Sequence, residues 1–473
     1  MMLREQLYNQ LAEEFGHDPT EGQKAVMRHL TAFVLTDKPN PLYLLKGYAG
    51  TGKTSLIGAL VRQLRQMRRR VVLLAPTGRA AKVLSSYSGY PAKTIHRNIY
   101  MRSMGADGQY RVNLIENKFK RAVFIVDEAS MVGEGGNDAG QFVQRSLLDD
   151  LMTYVFSGEA CSMILVGDHA QLPPVGVDES PTLDIDYLTT TYPLTAASFE
   201  LTEVMRQSLE SGILYNATRL RLSLLSDELQ LPLIETASFT DIHPIQPDEF
   251  EDLLYTAFGR HDFESSIVIC RSNKKANLFN QAIRSRILGY DEEINAGDLL
   301  MVVKNNYFWL EPGEAGGFIA NGDIVAVNRI NRVEEMYGFR FADAEVSLID
   351  YEGAPFQVKL LLDTLMIDGP SLPFQDFQKL SAAIEEDYLD IPERRKRLAK
   401  IRTNPYYNAL QIKFSYALTC HKTQGGQWPT VFVDAGIAQA DAADSSYLRW
   451  LYTAATRATQ QLYLIHFPDG LIG

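Results

Sequence analysis

The octapeptide GYAGTGKT, residues 47–54, is the stretch from which the rest of the chain can be interpreted. It fits the phosphate-binding P-loop pattern G-x-x-x-x-G-K-[ST] at every position. Residues 42–46, which are apolar up to Lys46, precede it like a short buried strand, and residues 55–61 follow like the first turns of a helix. In such a unit, backbone N–H groups and the helix N-terminus face negative charge. The sequence therefore predicts a nucleoside triphosphate site, with a chance glycine-rich turn as the alternative.

The side chains at the end of this loop predict how a triphosphate is held. Lys53 is expected to reach the β- and γ-phosphates, where it would act in catalysis. The hydroxyl of Thr54 is expected to ligate Mg²⁺. The loop residues expected to contact the nucleotide are Gly50, Thr51, Gly52, Lys53, Thr54 and Ser55.

Length and composition are those of a globular protein. The 473 residues are long enough for about two to four domains. The net charge of −12 argues against a non-specific coat on nucleic acid, although a locally basic channel is compatible with it. No apolar run reaches membrane-spanning length, and the first residues lack a signal-peptide core. Cys161, Cys270 and Cys420 are widely spaced in apolar segments, which predicts core thiols and a cytoplasmic location.

Three further apolar runs also end in polar loops. Residues 71–75 lead into PTGRAA, residues 122–126 into DEAS, and residues 162–166 into GDHAQLPPV. Continuous apolar strands followed by polar loops are typical of a parallel sheet covered by helices, which is an α/β fold. Ligands collect at the C-terminal ends of such strands. All four loops are therefore expected at one site.

Acidic and amide side chains in two of these loops predict the hydrolytic groups. Asp127 is expected to hold Mg²⁺ through water, and Glu128 is expected to orient or deprotonate the attacking water. Gln171 is suited to sensing the γ-phosphate and the same water. The alternatives are a structural salt bridge for the acidic pair and an ordinary polar turn for the glutamine.

The order of these motifs resembles that of superfamily 1 helicases, in particular the RecD/Dda-like branch, superfamily 1B. Residues 20–23 also resemble the family's glutamine motif, which reads adenine through the residue matching Gln23. The resemblance spans nearly the whole chain. The stretches that carry it are GYAGTGKT (47–54), APTGRAA (75–81), DEAS (127–130), GDHAQLPPV (167–175), LTEVMRQ (201–207), YALTCHKTQG (416–425) and YTAATRA (452–458).

The resemblance implies an ATP- and Mg²⁺-dependent DNA helicase that moves 5′ to 3′ on single-stranded DNA and unwinds duplex DNA. Two RecA-like domains would clamp ATP between them, and Arg206 and Arg457 match the family's catalytic arginines. Such arginines stabilise charge on the transferring phosphoryl group when the cleft closes. A surface salt bridge is the alternative for either one. The implied catalytic set is Lys53, Glu128, Gln171, Arg206 and Arg457.

The resemblance also implies a strand-binding face that crosses both domains. Phosphate contacts from such a face position a strand without reading its sequence. The implied partners are single-stranded DNA, junctions of single and double strands, and repair, recombination or replication proteins, with a monomer as the working unit. The candidate DNA contacts are Thr77, Arg79, Thr94 and His96 in the first domain, and Thr419, His421 and Lys422 in the second.

The motif positions imply two RecA-like domains, each with an insert. Residues 1–197 would form an N-terminal helical segment and the first domain, with a short pin insert at about 97–120. Residues 198–294 and 411–473 would form the second domain. Residues 295–410 would form an SH3-like β-barrel with helices around 374–402. The strands expected there are 297–303, 321–327 and 356–362.

Two other functions stay open at the level of sequence. A DNA-stimulated ATPase or translocase subunit of a recombination or repair complex would share these motifs without unwinding duplexes by itself. A P-loop kinase would need neither Gln171 nor the arginines of a second domain. The chain also departs from many relatives at residues 426–428, which read Gly-Gln-Trp where an acidic residue is common. The pin insert is short and polar.

Overall fold

The computed structural model describes residues 2–104, 110–133, 146–204, 210–226, 229–246, 248–259, 264–310, 317–351, 353–436 and 444–473. The helices are α1 (Met2–Phe15), α2 (Glu21–Val34), α3 (Lys53–Gln66), α4 (Gly78–Ser88), α5 (Ile95–Ile99), α6 (Leu147–Ser157), α7 (Ile185–Thr191), α8 (Gly212–Leu224), α9 (Phe250–Phe258), α10 (Asn273–Ala282), α11 (Phe374–Glu386), α12 (Arg394–Arg402), α13 (Cys420–Thr423) and α14 (Ser445–Ala455). The strands are β1 (Pro41–Gly47), β2 (Val71–Ala75), β3 (Ala92–Thr94), β4 (Tyr100–Met104), β5 (Tyr110–Leu114), β6 (Val123–Val126), β7 (Ser162–Gly167), β8 (Thr195–Leu201), β9 (Ile242–Pro244), β10 (Ser266–Cys270), β11 (Leu299–Val302), β12 (Ile324–Met336), β13 (Phe339–Leu348), β14 (Phe356–Leu361), β15 (Leu410–Phe414), β16 (Ala417–Thr419), β17 (Trp428–Asp434) and β18 (Ala458–Ile465).

The first sheet has six parallel strands in the order β3-β2-β6-β7-β1-β8. Strands β2, β6 and β7 are buried along their whole length because helices cover both faces of the sheet. Tyr43 and Leu45 of β1 share a hydrophobic cluster with α2 and α3, whereas Leu42 and Leu44 share another with α6. The loops that follow β1, β2, β6 and β7 therefore lie at one edge, as the sequence predicts.

The second sheet has five parallel strands in the order β16-β10-β17-β18-β9. Apolar residues of β10, β17 and β18 form one hydrophobic cluster with α8 and α14. This cluster also takes in Tyr48, Ala170 and Leu172 from the loops of the first sheet. The two sheets are thus joined by a shared core at the edge where the polar loops lie.

A closed barrel of strands β11 to β15 is inserted in the second sheet's sequence. Neighbouring strands are antiparallel except β14 and β15, which are parallel. The end of the barrel is covered by α11 and α12, whose Leu380, Ile384 and Ile401 cluster with Phe341 and Leu361 of the barrel. The predicted α/β fold class, with two RecA-like sheets and a barrel in the second, is confirmed.

The element boundaries differ from the predicted domain limits in two places. Strand β8 belongs to the first sheet and runs to Leu201, so a limit at residue 197 cuts through it. Strand β15, residues 410–414, closes the barrel instead of starting the second domain. Strand β13 was not among the predicted strands, because Arg340, Asp343 and Glu345 interrupt its apolar pattern. The hairpin of β4 and β5 lies inside the predicted pin region.

The three cysteines are buried free thiols, as predicted. Within the described ranges, each helix is too short or too polar to traverse a lipid bilayer.

Candidate nucleotide site

The P-loop follows β1 and uses two left-handed glycines. Gly50 has φ +76° and Gly52 has φ +83°, conformations that other residues adopt only with strain. Gly52 precedes the first residue of α3, and no side chain caps this helix. The first N–H groups of α3 are therefore available to a ligand, and they carry the positive end of the helix dipole.

Two polar side chains hold the P-loop from inside. The ammonium of Lys53 donates to the carbonyls of Gly47 and Tyr48, the second at 2.9 Å. The amide nitrogen of Gln23 donates to the carbonyl of Thr51 at 3.0 Å, and its amide oxygen accepts from the N–H of Thr20 at 3.0 Å. In this conformation Gln23, which is predicted to read adenine, contacts the P-loop backbone with its nitrogen and caps α2 with its oxygen.

A cavity of 340 Å³ opens at the P-loop and is lined from both sheets. The predicted residues Gly50, Gly52, Lys53, Thr54 and Ser55 line it, while Thr51 is fully buried behind them. Such a volume, rich in N–H groups and polar side chains, suits a polyphosphate. The other lining residues are Tyr48, Ala49, Ala80, Val83, Tyr87, Asp127, Glu128, Gly167, Asp168, Gln171, Leu214, Gly425, Gln427, Thr456, Arg457 and Ala458.

The acidic pair lies at the end of β6, facing this cavity. One carboxylate oxygen of Asp127 accepts the N–H of Glu128 at 2.9 Å, and the other accepts the hydroxyl of Tyr87. Burial raises the pKa of both carboxyls. For Glu128 the nearby Arg457 opposes this rise in pKa. Glu128 also has φ +51°, an unusual backbone conformation that aims its side chain from a tight turn.

Gln171 is a buried residue whose side chain is incompletely bonded. The residue is only 6% exposed, and its amide oxygen has no hydrogen-bond partner among the described residues. A buried, unpaired carbonyl oxygen is costly unless a ligand or water bonds to it. This orphaned oxygen, lining the cavity, fits the predicted contact with a phosphate-bound water.

Arg457 enters the same cavity from the second sheet. It follows α14, is 3% exposed, and its guanidinium lies 3.7 Å from the carboxylate of Glu128. Three hydrogen bonds to Thr453, Gly426 and Thr456 fix its direction. An arginine held this way keeps a fixed positive charge at the cleft. Arg206, the other predicted catalytic arginine, lies outside the described residues.

Two residues that received no role from the sequence connect the sheets. The hydroxyl of Tyr452, on α14, accepts the N–H of Ala49 at 2.8 Å and donates to Asp168 at 2.6 Å. Asp168, at the end of β7, also accepts the N–H of Ala170 at 2.9 Å. Both residues lie inside stretches that resemble family motifs, so their sequence positions already marked them as candidates for the site. Their contact required the fold, because they are far apart in the chain.

The candidate DNA contacts of the first sheet are engaged in other contacts. The hydroxyls of Thr77 and Thr94 cap α4 and α5 by accepting N–H groups at 3.2 Å. The guanidinium of Arg79 lies 3.6 Å from a carboxylate oxygen of Glu264 and 3.6 Å from one of Asp350, and its charge faces the ring of Trp428 at 5.1 Å. The imidazole of His96 is half-buried, 5.7 Å from the ring of Tyr100.

The candidate DNA contacts of the second sheet gather at α13. Thr419 is the residue before this short helix, and its hydroxyl does not cap it. His421 is exposed, whereas Lys422 is half-buried. The ammonium of Lys422 is buried without a hydrogen-bond partner among the described residues. Burial, with a further contribution from the charge of Lys413, lowers the pKa of Lys422 to about 8.

The fold and this cleft define the class of P-loop proteins with two RecA-like sheets. A family model described as an AAA domain matches residues 19–226, and one described as a UvrD-like helicase C-terminal domain matches residues 414–465. The ATP-dependent RecD2 DNA helicase of Deinococcus radiodurans is 23% identical over 423 residues, which are 89% of this chain and 46% of that protein. The ATP-dependent DNA helicase Dda of Enterobacteria phage T4 is 25% identical over 288 residues, 60% of this chain and 61% of that protein.

These matches agree with the resemblance of the motifs to superfamily 1B helicases of the RecD/Dda-like branch. The chain spans less than two thirds of the length of either of these two relatives. A crystal structure of the Pif1 helicase from Bacteroides, in complex with ADP-AlF3 and ssDNA, aligns with 97% of this chain and 95% of that one. The sequence identity is 16% and the TM-score 0.46.

Proposed function

We propose that the protein is an ATP-dependent DNA helicase that moves 5′ to 3′ along single-stranded DNA and unwinds duplex DNA. The observation that carries the proposal is the cleft, whose P-loop and acidic pair come from one sheet and whose Arg457 comes from the other. A hydrolytic site divided in this way opens and closes as the sheets move. Hydrolysis can therefore be converted into movement along a bound strand.

The hydrolytic roles follow from the contacts in the cleft. Lys53 would exchange the carbonyls of Gly47 and Tyr48 for the β- and γ-phosphates. Glu128, whose raised pKa makes it a stronger base than an ordinary glutamate, would accept a proton from the attacking water. Gln171 would orient that water through its unpaired oxygen. Arg457 would stabilise the charge that develops on the transferring phosphoryl group.

The metal-binding roles belong to Thr54 and Asp127. Thr54 is exposed to the cavity at the start of α3, and Asp127 lies across it with a carboxylate bonded to Tyr87. An oxygen donor set of this kind suits Mg²⁺, which when bound neutralises phosphate charge. The bond from Tyr87 favours a contact between Asp127 and the ion through water.

The strand would lie across the loops that follow both sheets. Thr77, Arg79, Thr94 and His96 would contact it from the first sheet, and Thr419, His421 and Lys422 from the second. The hairpin of β4 and β5 would separate the duplex. The working unit is expected to be a monomer, since both halves of the cleft are in one chain.

The test is strand displacement on two matched duplexes that carry a single 5′ or 3′ tail, with ATP and Mg²⁺. Displacement from the 5′-tailed duplex is expected, and Lys53→Ala should abolish it because the variant lacks the ammonium expected at the β- and γ-phosphates. Displacement from the 3′-tailed duplex alone would overturn the direction. DNA-stimulated hydrolysis without displacement on either substrate would instead favour a translocase subunit that needs a partner.

A further inference from the structure

Tyr48, the second residue of the P-loop, extends its ring away from its own sheet. It is 4% exposed and belongs to the same hydrophobic cluster as Ile267, Val431 and Leu451 of the second sheet and α14. The residue therefore reaches across the cleft from the phosphate-binding loop. Nothing in the P-loop pattern requires an aromatic residue there, because this position is unrestricted in the pattern.

The ring of Tyr48 is held between one group from each sheet. Its hydroxyl is 2.7 Å from the Nε2 atom of His169, in the loop after β7, and the two rings meet edge to face at 4.9 Å. The guanidinium of Arg221, from α8, lies 4.2 Å from the ring centroid of Tyr48. Arg221 is 9% exposed and donates to the carbonyl of Thr202 at 3.3 Å. A desolvated cation against an aromatic face is a directional contact.

The backbone of Tyr48 is bonded to the residues that would bind phosphate. Its carbonyl accepts the ammonium of Lys53 at 2.9 Å and the hydroxyl of Thr51 at 2.7 Å. A phosphate that takes the ammonium of Lys53 removes one of these bonds. The peptide that follows Tyr48 keeps its bonds to Thr51 and Tyr452 but loses the one from Lys53. Phosphate binding therefore loosens one of the contacts that position the ring against Arg221.

We propose that Tyr48 is a positioning residue that couples occupancy of the P-loop to the seating of α8, and thereby of the second sheet, across the cleft. The inference rests on the proposed function, because it assigns Tyr48 to the closure that brings Arg457 to the phosphates. The carbonyl of Tyr48 contacts the catalytic Lys53, whereas its ring packs toward the second sheet. Its effect is therefore expected on the closed, strand-bound state and not on the first encounter with ATP.

The test compares variants of the two partners in steady-state ATP hydrolysis with and without single-stranded DNA. Tyr48→Leu removes the aromatic face, Arg221→Met removes the cation, and Tyr48→Phe keeps the face while losing the hydroxyl. The first two should lower the DNA-stimulated kcat roughly 3- to 30-fold, the range of a desolvated cation–π contact. The KM for ATP should stay within about threefold of the wild-type value, and Tyr48→Phe should retain most of the stimulation.

A double variant and a matched control separate coupling from stability. The double variant Tyr48→Leu/Arg221→Met should have a stimulated kcat no lower than that of the slower single variant. Each substitution removes the same contact, so the second has nothing further to remove. Arg219→Met, on the same helix, removes a cation that faces Tyr215 at 5.9 Å and pairs with Glu235 at 3.2 Å. This control should leave DNA stimulation unchanged. Arg221→Met carries the test if Tyr48→Leu fails to fold.

The outcomes distinguish the inference from the proposed function. A wild-type protein without DNA-stimulated hydrolysis would contradict the proposed function itself. If the wild type is stimulated and Tyr48→Leu and Arg221→Met match it, the coupling role is wrong. The coupling role is also wrong if the fold-losses of stimulated kcat in the two single variants multiply in the double variant. It is wrong as well if the variants raise only the KM for ATP. Reduced stimulated kcat, retained KM and non-additivity together support it.

Discussion

The nucleotide cleft and the strand face, which is the surface proposed to bind single-stranded DNA, use their polar groups in opposite ways. In the cleft, the start of α3 has no side-chain cap and Gln171 keeps an unpaired buried oxygen among the described residues. On the strand face of the first sheet, Thr77 and Thr94 cap helices and Arg79 is paired with two carboxylates. In the cleft only Lys53 must exchange internal partners among these groups, whereas a strand must displace the partners of all three residues.

This difference has an energetic consequence. Where a ligand meets unpaired groups, as at the start of α3 and at Gln171, it breaks no internal contact, so little of the binding free energy is lost. A phosphate that reaches Arg79 competes with Asp350, whose side chain is 1% exposed and belongs to the barrel. Lys82 lies 3.6 Å from the same carboxylate. Strand affinity should therefore depend on the barrel, while nucleotide affinity should not.

A large loss of hydrolysis is predicted for a variant in the nucleotide cleft. Glu128→Gln should bind ATP as the wild type does but hydrolyse it at least about 10²-fold more slowly, because an amide cannot accept the proton of the attacking water. The measurement is a pair of nucleotide-binding and steady-state hydrolysis assays. Glu159→Gln removes an exposed carboxylate that pairs with Lys120 and should leave both values unchanged. Near-normal turnover of Glu128→Gln would contradict the assignment.

A smaller effect concerns the strand face of the second sheet. The pKa of Lys422 is lowered to about 8, so its ammonium loses its proton as the pH rises above that value. A bound phosphate favours the protonated form, so strand affinity should weaken between pH 7 and pH 9, by at most about tenfold per pH unit. Fluorescence anisotropy of a labelled single strand measures this slope.

Arginine at this position provides the matched variant. Lys422→Arg should flatten the pH dependence of strand affinity, because a guanidinium stays charged throughout this range. Lys379→Arg, at an exposed lysine of α11 that pairs with Asp376, should leave the slope as in the wild type. The role of Lys422 in strand binding is refuted if Lys422→Arg and the wild type show the same slope.

The smallest predicted effect is on strand affinity, and it tests whether internal carboxylates compete with a bound strand. Asp350→Asn removes the carboxylate that competes for Arg79 and Lys82, so strand affinity should increase about two- to fivefold. Asp343→Asn is the matched control, because Asp343 is also a carboxylate of the barrel but pairs with Lys359. Equal affinity in Asp350→Asn and Asp343→Asn would show that Asp350 does not compete with the strand.

The sequence was sufficient for the P-loop and the acidic pair because each of them is a contiguous motif. GYAGTGKT fixes the P-loop, and the apolar run before Asp127 and Glu128 fixes their place at the end of a strand. The sequence was insufficient where a contact joins distant segments. Two contacts show this. The bond from Tyr87 to Asp127 depends on how α4 packs on the first sheet, and the pair of Arg79 with Asp350 depends on how the barrel packs against that sheet. The final barrel strand, β15, was missed for the same reason, since its partners come from earlier strands.

The central claim is that hydrolysis needs both sheets, and Arg457→Gln tests it most directly. The measurement is ATP hydrolysis with saturating single-stranded DNA, alongside ATP affinity and thermal unfolding. Retained affinity and folding with turnover reduced by about 10³-fold or more is the predicted result, as for other arginines of this kind. Turnover close to that of the wild type would contradict the account, because the first sheet would then hydrolyse ATP without its partner.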